Sequence, residues 1–132
     1  MVSIFNRFSF LRNPATITFG IGLIVIGSTL FVLARHTLRK AYSGHLSVKN
    51  NQNLVRDGPY RLIRHPAYSG YLSMALGISI GYENLTGMLN IIMLLICMQY
   101  RMNLEEKMLV EYFGDAYRQY MQTTKRLNPG IW

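Results

Sequence analysis

Twenty-two consecutive residues, 13–34 (NPATITFGIGLIVIGSTLFVLA), carry no charge. About 20 apolar residues in a helix cross a hydrocarbon layer of roughly 30 Å. Pro14 suits the first helical turn, and Arg35 closes the run. Residues 66–82 (PAYSGYLSMALGISIGY) and 84–100 (NLTGMLNIIMLLICMQY) are two further uncharged runs of 17 residues each. Only Glu83 separates them, so they read as a tight helical hairpin. A soluble buried hairpin is the competing arrangement. It is disfavoured because the first run is long and no polar faces balance the three. Gly20, Gly22, Gly27, Gly70, Gly77 and Gly81 lie in or at the ends of these runs, where small residues let helices approach closely. The sequence therefore predicts an all-α integral membrane protein. It would be a single domain over 1–132, with three transmembrane helices (13–34, 66–82, 84–100) and a cytoplasmic tail, 101–132, ending in an amphipathic helix.

The charges orient these spans. The net charge is +8, with 14 Lys+Arg against 6 Asp+Glu, and half of the chain is apolar. A basic excess fits nucleic acid or an anionic membrane face. With this hydrophobicity it fits the membrane, and no nucleic-acid partner is expected. Residues 35–65 hold seven Lys/Arg and one acid, Asp57; residues 101–132 hold five Lys/Arg and four acids. The positive-inside rule places both stretches in the cytoplasm and the hairpin tip outside. Residues 1–12 carry Arg7 and Arg12 without a cleavage-site pattern. Residues 1–20 read as a retained anchor. The charge rule would put the N-terminus outside, against Arg7 and Arg12; the alternative is that residues 1–12 lie along the interface, with Phe5, Phe8, Phe10 and Leu11 immersed. The single cysteine, Cys97, lies inside an apolar run, so no internal disulfide and no metal cluster is expected.

The polar chemistry gathers at two places. DGPY at 57–60 is a turn: Gly58 permits unusual backbone angles and Pro59 fixes one. Arg61, Arg64 and His65 follow, and Pro66 opens the second run. Turn amides and the start of a helix together make an anion site. Tyr68 and Tyr71 share a face beside Gly70, which can take a flat ring. A membrane-interface belt of Arg and Tyr explains the same residues without a ligand. The second place is RMNLEE at 101–106. Glu105 lies one turn beyond Arg101, so an i,i+4 pair is available, and Glu106 points about 100° away from Glu105. Two adjacent carboxylates at the end of a membrane helix are expensive unless they face water or a polar ligand. The hairpin brings them to the side where RLIRHP sits. The helix is expected over 85–112, interrupted at Gly114. DAYRQYMQTTKR then follows as a surface helix capped by Asp115, with Tyr117, Tyr120 and Met121 facing the membrane and Pro129 as its stop.

Other templates fail. There is no GxxxxGK[ST], GxGxxG, CxxC or HExxH, and His36, His45 and His65 are too scattered to specify a metal.

LVRDGPYRLIRHPAYSGYL (54–72) followed by RMNLEEKMLVEYFGDAYRQYM (101–121) resembles the isoprenylcysteine carboxyl methyltransferase family and its relatives among the phospholipid methyltransferases. The upstream ARHTLRKAYS fits as well, and the resemblance covers roughly residues 20–125. It implies an integral membrane enzyme that transfers a methyl group from S-adenosyl-L-methionine to a lipophilic acceptor at the cytosolic face. That acceptor class includes prenylcysteine-like carboxylates, thiols and lipid amines. By position, Gly58, Pro59, Tyr60, Arg64, His65, Pro66, Tyr68 and Gly70 form one half of the cofactor site. Glu105 and Glu106 form the other half, and Arg101 matches the arginine near the acceptor. Arg64 and the helix start suit the cofactor carboxylate. Glu105 or Glu106 suits the ribose diol, and Tyr60 or Tyr68 suits adenine or the sulfonium. Arg101 would orient a carboxylate acceptor; a thiol or amine acceptor would need His65 or Glu105 as base. Family members usually have more helices before the motif, so self-association is expected to supply a missing acceptor wall. The expected location is the plasma or inner membrane of a prokaryote, or the endoplasmic reticulum of a eukaryote. Two competing classes are a non-catalytic membrane protein binding anionic lipid or a partner through its basic loops, and a sterol-type membrane reductase. The paired glutamates count against the first and the short chain against the second.

Overall fold

A computed structural model describes residues 13–41, 54–82 and 85–128. The expected interfacial segment 1–12, the hairpin tip 83–84 and the helix stop Pro129 lie outside the described residues. Among the described residues four helices follow one another: α1 (Pro14–Ala41), α2 (Pro66–Tyr82), α3 (Leu85–Phe113) and α4 (Asp115–Thr123), with a 3-10 turn (Gly58–Arg61) ahead of α2. Among the described residues there is no strand, and one isolated parallel bridge pairs Ile63 with Lys125.

α1 starts where the sequence places it. The Asn13 side chain accepts from the Ala15 amide at 3.0 Å, supplying the cap that precedes Pro14. Its end differs from expectation. The helix continues past Arg35 to Ala41 because residues 35–41 are mostly good helix formers, and loss of apolarity ends the greasy run without ending the helix. Pro14–Arg39 and Thr86–Phe113 are long and apolar enough to cross a membrane. The 17-residue α2 lies between α1 and α3, at the short end of the spanning range.

The antiparallel contact between α1 and α2 is a glycine seam. Gly27 meets Gly70 and Gly20 meets Gly77, each pair seven residues from the next. A Cβ on Gly27 would lie 2.5 Å from the Gly70 carbonyl oxygen, and one on Gly20 would lie 2.6 Å from that of Gly77. Ala34 is fully buried on the same helix. Two hydroxyls tie the seam: Ser73 donates to the Leu23 carbonyl at 2.9 Å and Ser28 to the Met74 sulfur at 3.2 Å. Backbones this close gain dispersion along their whole length, which matters where lipid removes the hydrophobic drive for association. Gly22 faces open space, so it belongs to no such contact.

α2 meets α3 at both ends. A Cβ on Gly87 would lie 2.9 Å from the Ser79 hydroxyl near the hairpin tip. At the other end Tyr68 and Leu72 pack against Met98, Met102 and Leu127. α3 runs unbroken from the apolar stretch into RMNLEE and stops at Gly114, whose φ of +60° a side-chain-bearing residue rarely adopts. Gly114, not Asp115, is the cap of α4. Asp115 lies inside the first turn, where its charge favours the helix dipole, and pairs with Arg118 at 3.0 Å.

The membrane-facing orientation expected for Tyr117 and Tyr120 is also corrected. Both are buried, at 2% and 4% exposure, and Tyr120 lies against the 60–63 stretch. The Tyr120 hydroxyl donates to the Tyr60 carbonyl at 2.5 Å. An amphipathic pattern says which face is apolar but not whether lipid or protein covers it.

Two outcomes test this packing. Gly27→Leu should cost about 1–3 kcal/mol by overpacking the seam, whereas Gly22→Ala should leave the melting temperature unchanged or higher. Equal melting temperatures for Gly27→Leu and the parent in detergent would contradict the seam. The second concerns Tyr117 and Tyr120, whose hydroxyls burial pushes well above the ordinary tyrosine range. A pKa raised by folding means stability is complete below the unfolded value, about 10, and is lost as pH rises past it. The melting temperature should therefore fall above that pH. Tyr120→Phe, though less stable at neutral pH, should show a shallower alkaline decline.

Candidate functional site

The 3-10 turn at Gly58–Arg61 sits at the basic end of α1. Gly58 has φ +57°, and a Cβ there would lie 3.1 Å from the Thr37 hydroxyl, so glycine is favoured both by conformation and by closeness. Pro59 starts the turn, and its carbonyl accepts from the Leu62 and Ile63 amides at 3.3 Å each. Arg56 fastens the approach by donating to the Ala116 carbonyl at 3.2 Å.

After the turn the chain runs extended beside residues 124–127. The Arg64 amide donates to the Lys125 carbonyl at 2.7 Å, the His65 amide to Arg126 at 3.0 Å, and the Lys125 amide to Leu62 at 3.3 Å. Pro66, buried, then opens α2, whose first intrahelical bond is Ser69 N–H to the His65 carbonyl at 3.1 Å. The Ala67 and Tyr68 amides precede that bond, as first-turn amides do. The Ser69 hydroxyl reaches across to the Leu127 carbonyl.

Glu106 is the centre of this end. It is 4% exposed, and both of its oxygens accept charged or polar donors. Oε1 takes Arg64 Nε at 2.8 Å and His65 Nε2 at 3.0 Å; Oε2 takes Arg126 Nη2 at 2.7 Å and Nε at 3.1 Å. Arg64 also donates through Nη1 to the carbonyls of Thr124 at 2.6 Å and Met121 at 2.9 Å. These carbonyls lie at the end of α4, where the helix dipole favours a cation.

Glu105 is different. Its side chain is one-third exposed. Tyr68 donates to Oε1 at 2.6 Å, Arg101 Nη2 lies 3.7 Å from Oε1, and His65 Nδ1 lies 3.8 Å from Oε2. His65 thus stands between the two adjacent carboxylates. Arg101 is 69% exposed, with most of its guanidinium open to water or a ligand.

Of the residues singled out in the sequence, Arg64, His65, Tyr68, Arg101, Glu105 and Glu106 come together at this end. Gly58, Pro59 and Tyr60 form the adjoining turn, and Pro66 is packed beneath. Gly70 turns toward Gly27 of α1, where a Cβ would lie 2.5 Å from the Gly27 carbonyl oxygen; its place is in the helix seam. Arg64 directs Nε and Nη1 inward, so much of its donor capacity holds the protein together. Sequence reasoning missed Arg126 and its neighbours Thr124 and Leu127. No local motif marks them. Their one signal is that a buried carboxylate beside the Arg64–His65 pair needs donors on both oxygens.

Comparison with known proteins bears on the family and the fold. A family model described as phospholipid methyltransferase matches residues 15–116. The protein-S-isoprenylcysteine O-methyltransferase of Schizosaccharomyces pombe is 33% identical over 117 residues, covering 86% of this chain and 48% of that protein. A probable protein-S-isoprenylcysteine O-methyltransferase of Oryza sativa subsp. indica is 30% identical over 106 residues, covering 78% and 56%. The chain therefore spans about half the length of the curated relatives it matches. Among solved structures, the eukaryotic intramembrane Ras methyltransferase, isoprenylcysteine carboxyl methyltransferase, shares the fold with a TM-score of 0.81. That match is at 23% identity and covers 98% of this chain and 47% of the other. The family match over residues 15–116 and the curated relatives, on an all-α fold shared with a solved structure, lead to one assignment: this chain belongs to the phospholipid methyltransferase family of integral membrane helical proteins.

Proposed function

We propose that this chain binds S-adenosyl-L-methionine at the basic end of the α2–α3 hairpin and transfers its methyl group to a lipophilic acceptor, a prenylcysteine carboxylate, at the cytosolic membrane face. The observation that carries this reading is the juxtaposition, across the hairpin, of the α2 start with an accessible Glu105 held by Tyr68. The names of the isoprenylcysteine relatives support the acceptor, and the basic stretches 35–65 and 101–132 support the cytosolic orientation.

The residues present fit such a cofactor by their chemistry. First-turn amides of α2 suit its carboxylate. Glu105 is an acceptor for an ammonium or a ribose diol, and the Tyr60 and Tyr68 rings offer aromatic surface for adenine or a sulfonium. The bound cofactor supplies an electrophilic methyl on a sulfonium, which departs as the neutral thioether of S-adenosylhomocysteine. Arg101, exposed beside Glu105, holds an acceptor carboxylate through its guanidinium. A carboxylate oxygen would form the new bond to carbon, the electrons of the broken carbon–sulfur bond would stay on sulfur, and no proton would move. No base is needed, so the protein's task is alignment, which can supply several orders of magnitude in rate. The apolar surfaces of α2 and α3 give the acceptor's hydrocarbon tail a path from lipid.

Calorimetry with S-adenosylhomocysteine in detergent tests the donor side. Glu105→Gln should weaken binding by about tenfold through loss of a charge-assisted acceptor, with little change in melting temperature. Absence of binding by the parent protein at millimolar ligand, or unchanged affinity in Glu105→Gln, would overturn the site. For the acceptor, labelled methyl should pass to an S-prenylated cysteine with a free carboxylate and not to its carboxamide. Transfer to a phospholipid amine in its place would keep the donor site and reject the prenylcysteine.

A further inference from the structure

Glu105 and Glu106 are adjacent in sequence but live in opposite environments. Glu106 has both oxygens occupied by Arg64, His65 and Arg126. Glu105 is one-third exposed and borders the solvent side of the same knot. Arg126 lies beyond residues 15–116, the part matched by the family model, yet it closes a ring of contacts around His65. Its carbonyl accepts the His65 amide at 3.0 Å. Its side chain holds Glu106 Oε2, and Glu106 Oε1 meets the His65 ring at 3.0 Å. The ring of His65 is thereby set 3.8 Å from Glu105 Oε2, and Tyr68, three residues on, bonds the other Glu105 oxygen.

We propose that Arg126 is a positioning residue for the methyl-donor site: by anchoring Glu106 as a buried counter-ion, it fixes His65 and leaves Glu105 as the carboxylate presented to the donor. The inference rests on the function proposed above.

The physical ground is the cost of a half-satisfied knot. Without Arg126, Glu106 Oε2 is a buried anionic oxygen that has lost both of its guanidinium donors. The carboxylate then has reason to rotate or draw in water, and either motion releases His65 Nε2. Arg64 has little left to offer Oε2. Its Nε already serves Oε1 and its Nη1 is committed to the Met121 and Thr124 carbonyls. The backbone bonds between 62–65 and 124–127 do not depend on the Arg126 side chain, so the extended pairing survives and what changes is the orientation of the site.

Calorimetry separates this role from a structural one. Misfolding lowers the fraction of protein that binds but leaves the dissociation constant of the remainder intact. Loss of positioning raises the constant at full stoichiometry. For Arg126→Gln, S-adenosylhomocysteine affinity should fall by about tenfold or more at near-unit stoichiometry, with the KM for the acceptor unchanged. Arg126→Lys, which keeps charge but lacks the planar fork, should fall between the two. In a Glu106→Gln background the further change Arg126→Gln should add little, because both act through one contact. Unchanged affinity in Arg126→Gln, a loss confined to stoichiometry, or losses that multiply in the double variant would each overturn the proposal. If the parent protein binds no S-adenosylhomocysteine, the donor-site reading falls and this inference falls with it. Binding by the parent with an unaffected Arg126→Gln overturns this inference alone.

Discussion

The buried carboxylate of Glu106 is the interaction on which the functional end depends. It joins three parts of the chain that are far apart in sequence: the 62–65 stretch, the end of α3 and the 124–127 segment. Taking such a group out of water costs several kcal/mol unless donors replace its hydration. Here four donor contacts from three residues do so, and two of those residues are arginines that stay charged. The α4 carbonyls accept from Arg64 in turn, so the cation also has partners beyond the carboxylate. A knot of this kind is weak as a source of net stability and strong as a source of geometry, because few other arrangements satisfy every group.

The apolar end is organised by a different principle. Where lipid surrounds the helices, burying hydrocarbon against hydrocarbon gains little, and association rests on close approach and on polar ties. The Gly20–Gly77 and Gly27–Gly70 contacts supply the approach, and Ser28 and Ser73 supply the ties. The seven-residue repeat keeps one seam facing its partner along two turns at a time. The seam fixes α2 against α1, the Glu106 knot fixes α3 against the stretch that leads into α2, and the α2–α3 contacts near Tyr68 lie where the two constraints meet.

The elements were legible because uncharged runs and prolines mark them. α2 spans Pro66–Tyr82, the stretch the sequence marks, and α3 ends at Phe113 beside the expected break at Gly114. The end of α1 was not legible, since basic residues continue a helix as readily as they end a membrane span. Within the site, the approach of RHP to the paired glutamates follows from a hairpin of two equal runs. The division of labour between Glu105 and Glu106 does not. Helical spacing gives the angle between neighbours, but which of them is buried depends on where residues 124–127 return, and no periodicity encodes that return. The same gap explains Tyr117 and Tyr120: their apolar face was visible, while its cover, for Tyr120 the 60–63 stretch, is set by tertiary contacts. Gly70 shows the converse problem, where one glycine fits both a motif and a helix seam and only the distance to Gly27 tells which contact it makes.

The two constraints also explain why polar chemistry sits at the mouth of an apolar hairpin. On the function proposed above, a donor that is charged and water-soluble reaches the site from the aqueous side, and an acceptor with a hydrocarbon tail reaches it from lipid. A carboxylate buried deeper would lose access to water. One fully exposed would be screened and would hold a ligand weakly. Pairing an inner carboxylate that organises the site with an outer one that remains accessible meets both demands within two consecutive residues. That arrangement requires the inner charge to be neutralised from the protein side, which is the place Arg126 occupies.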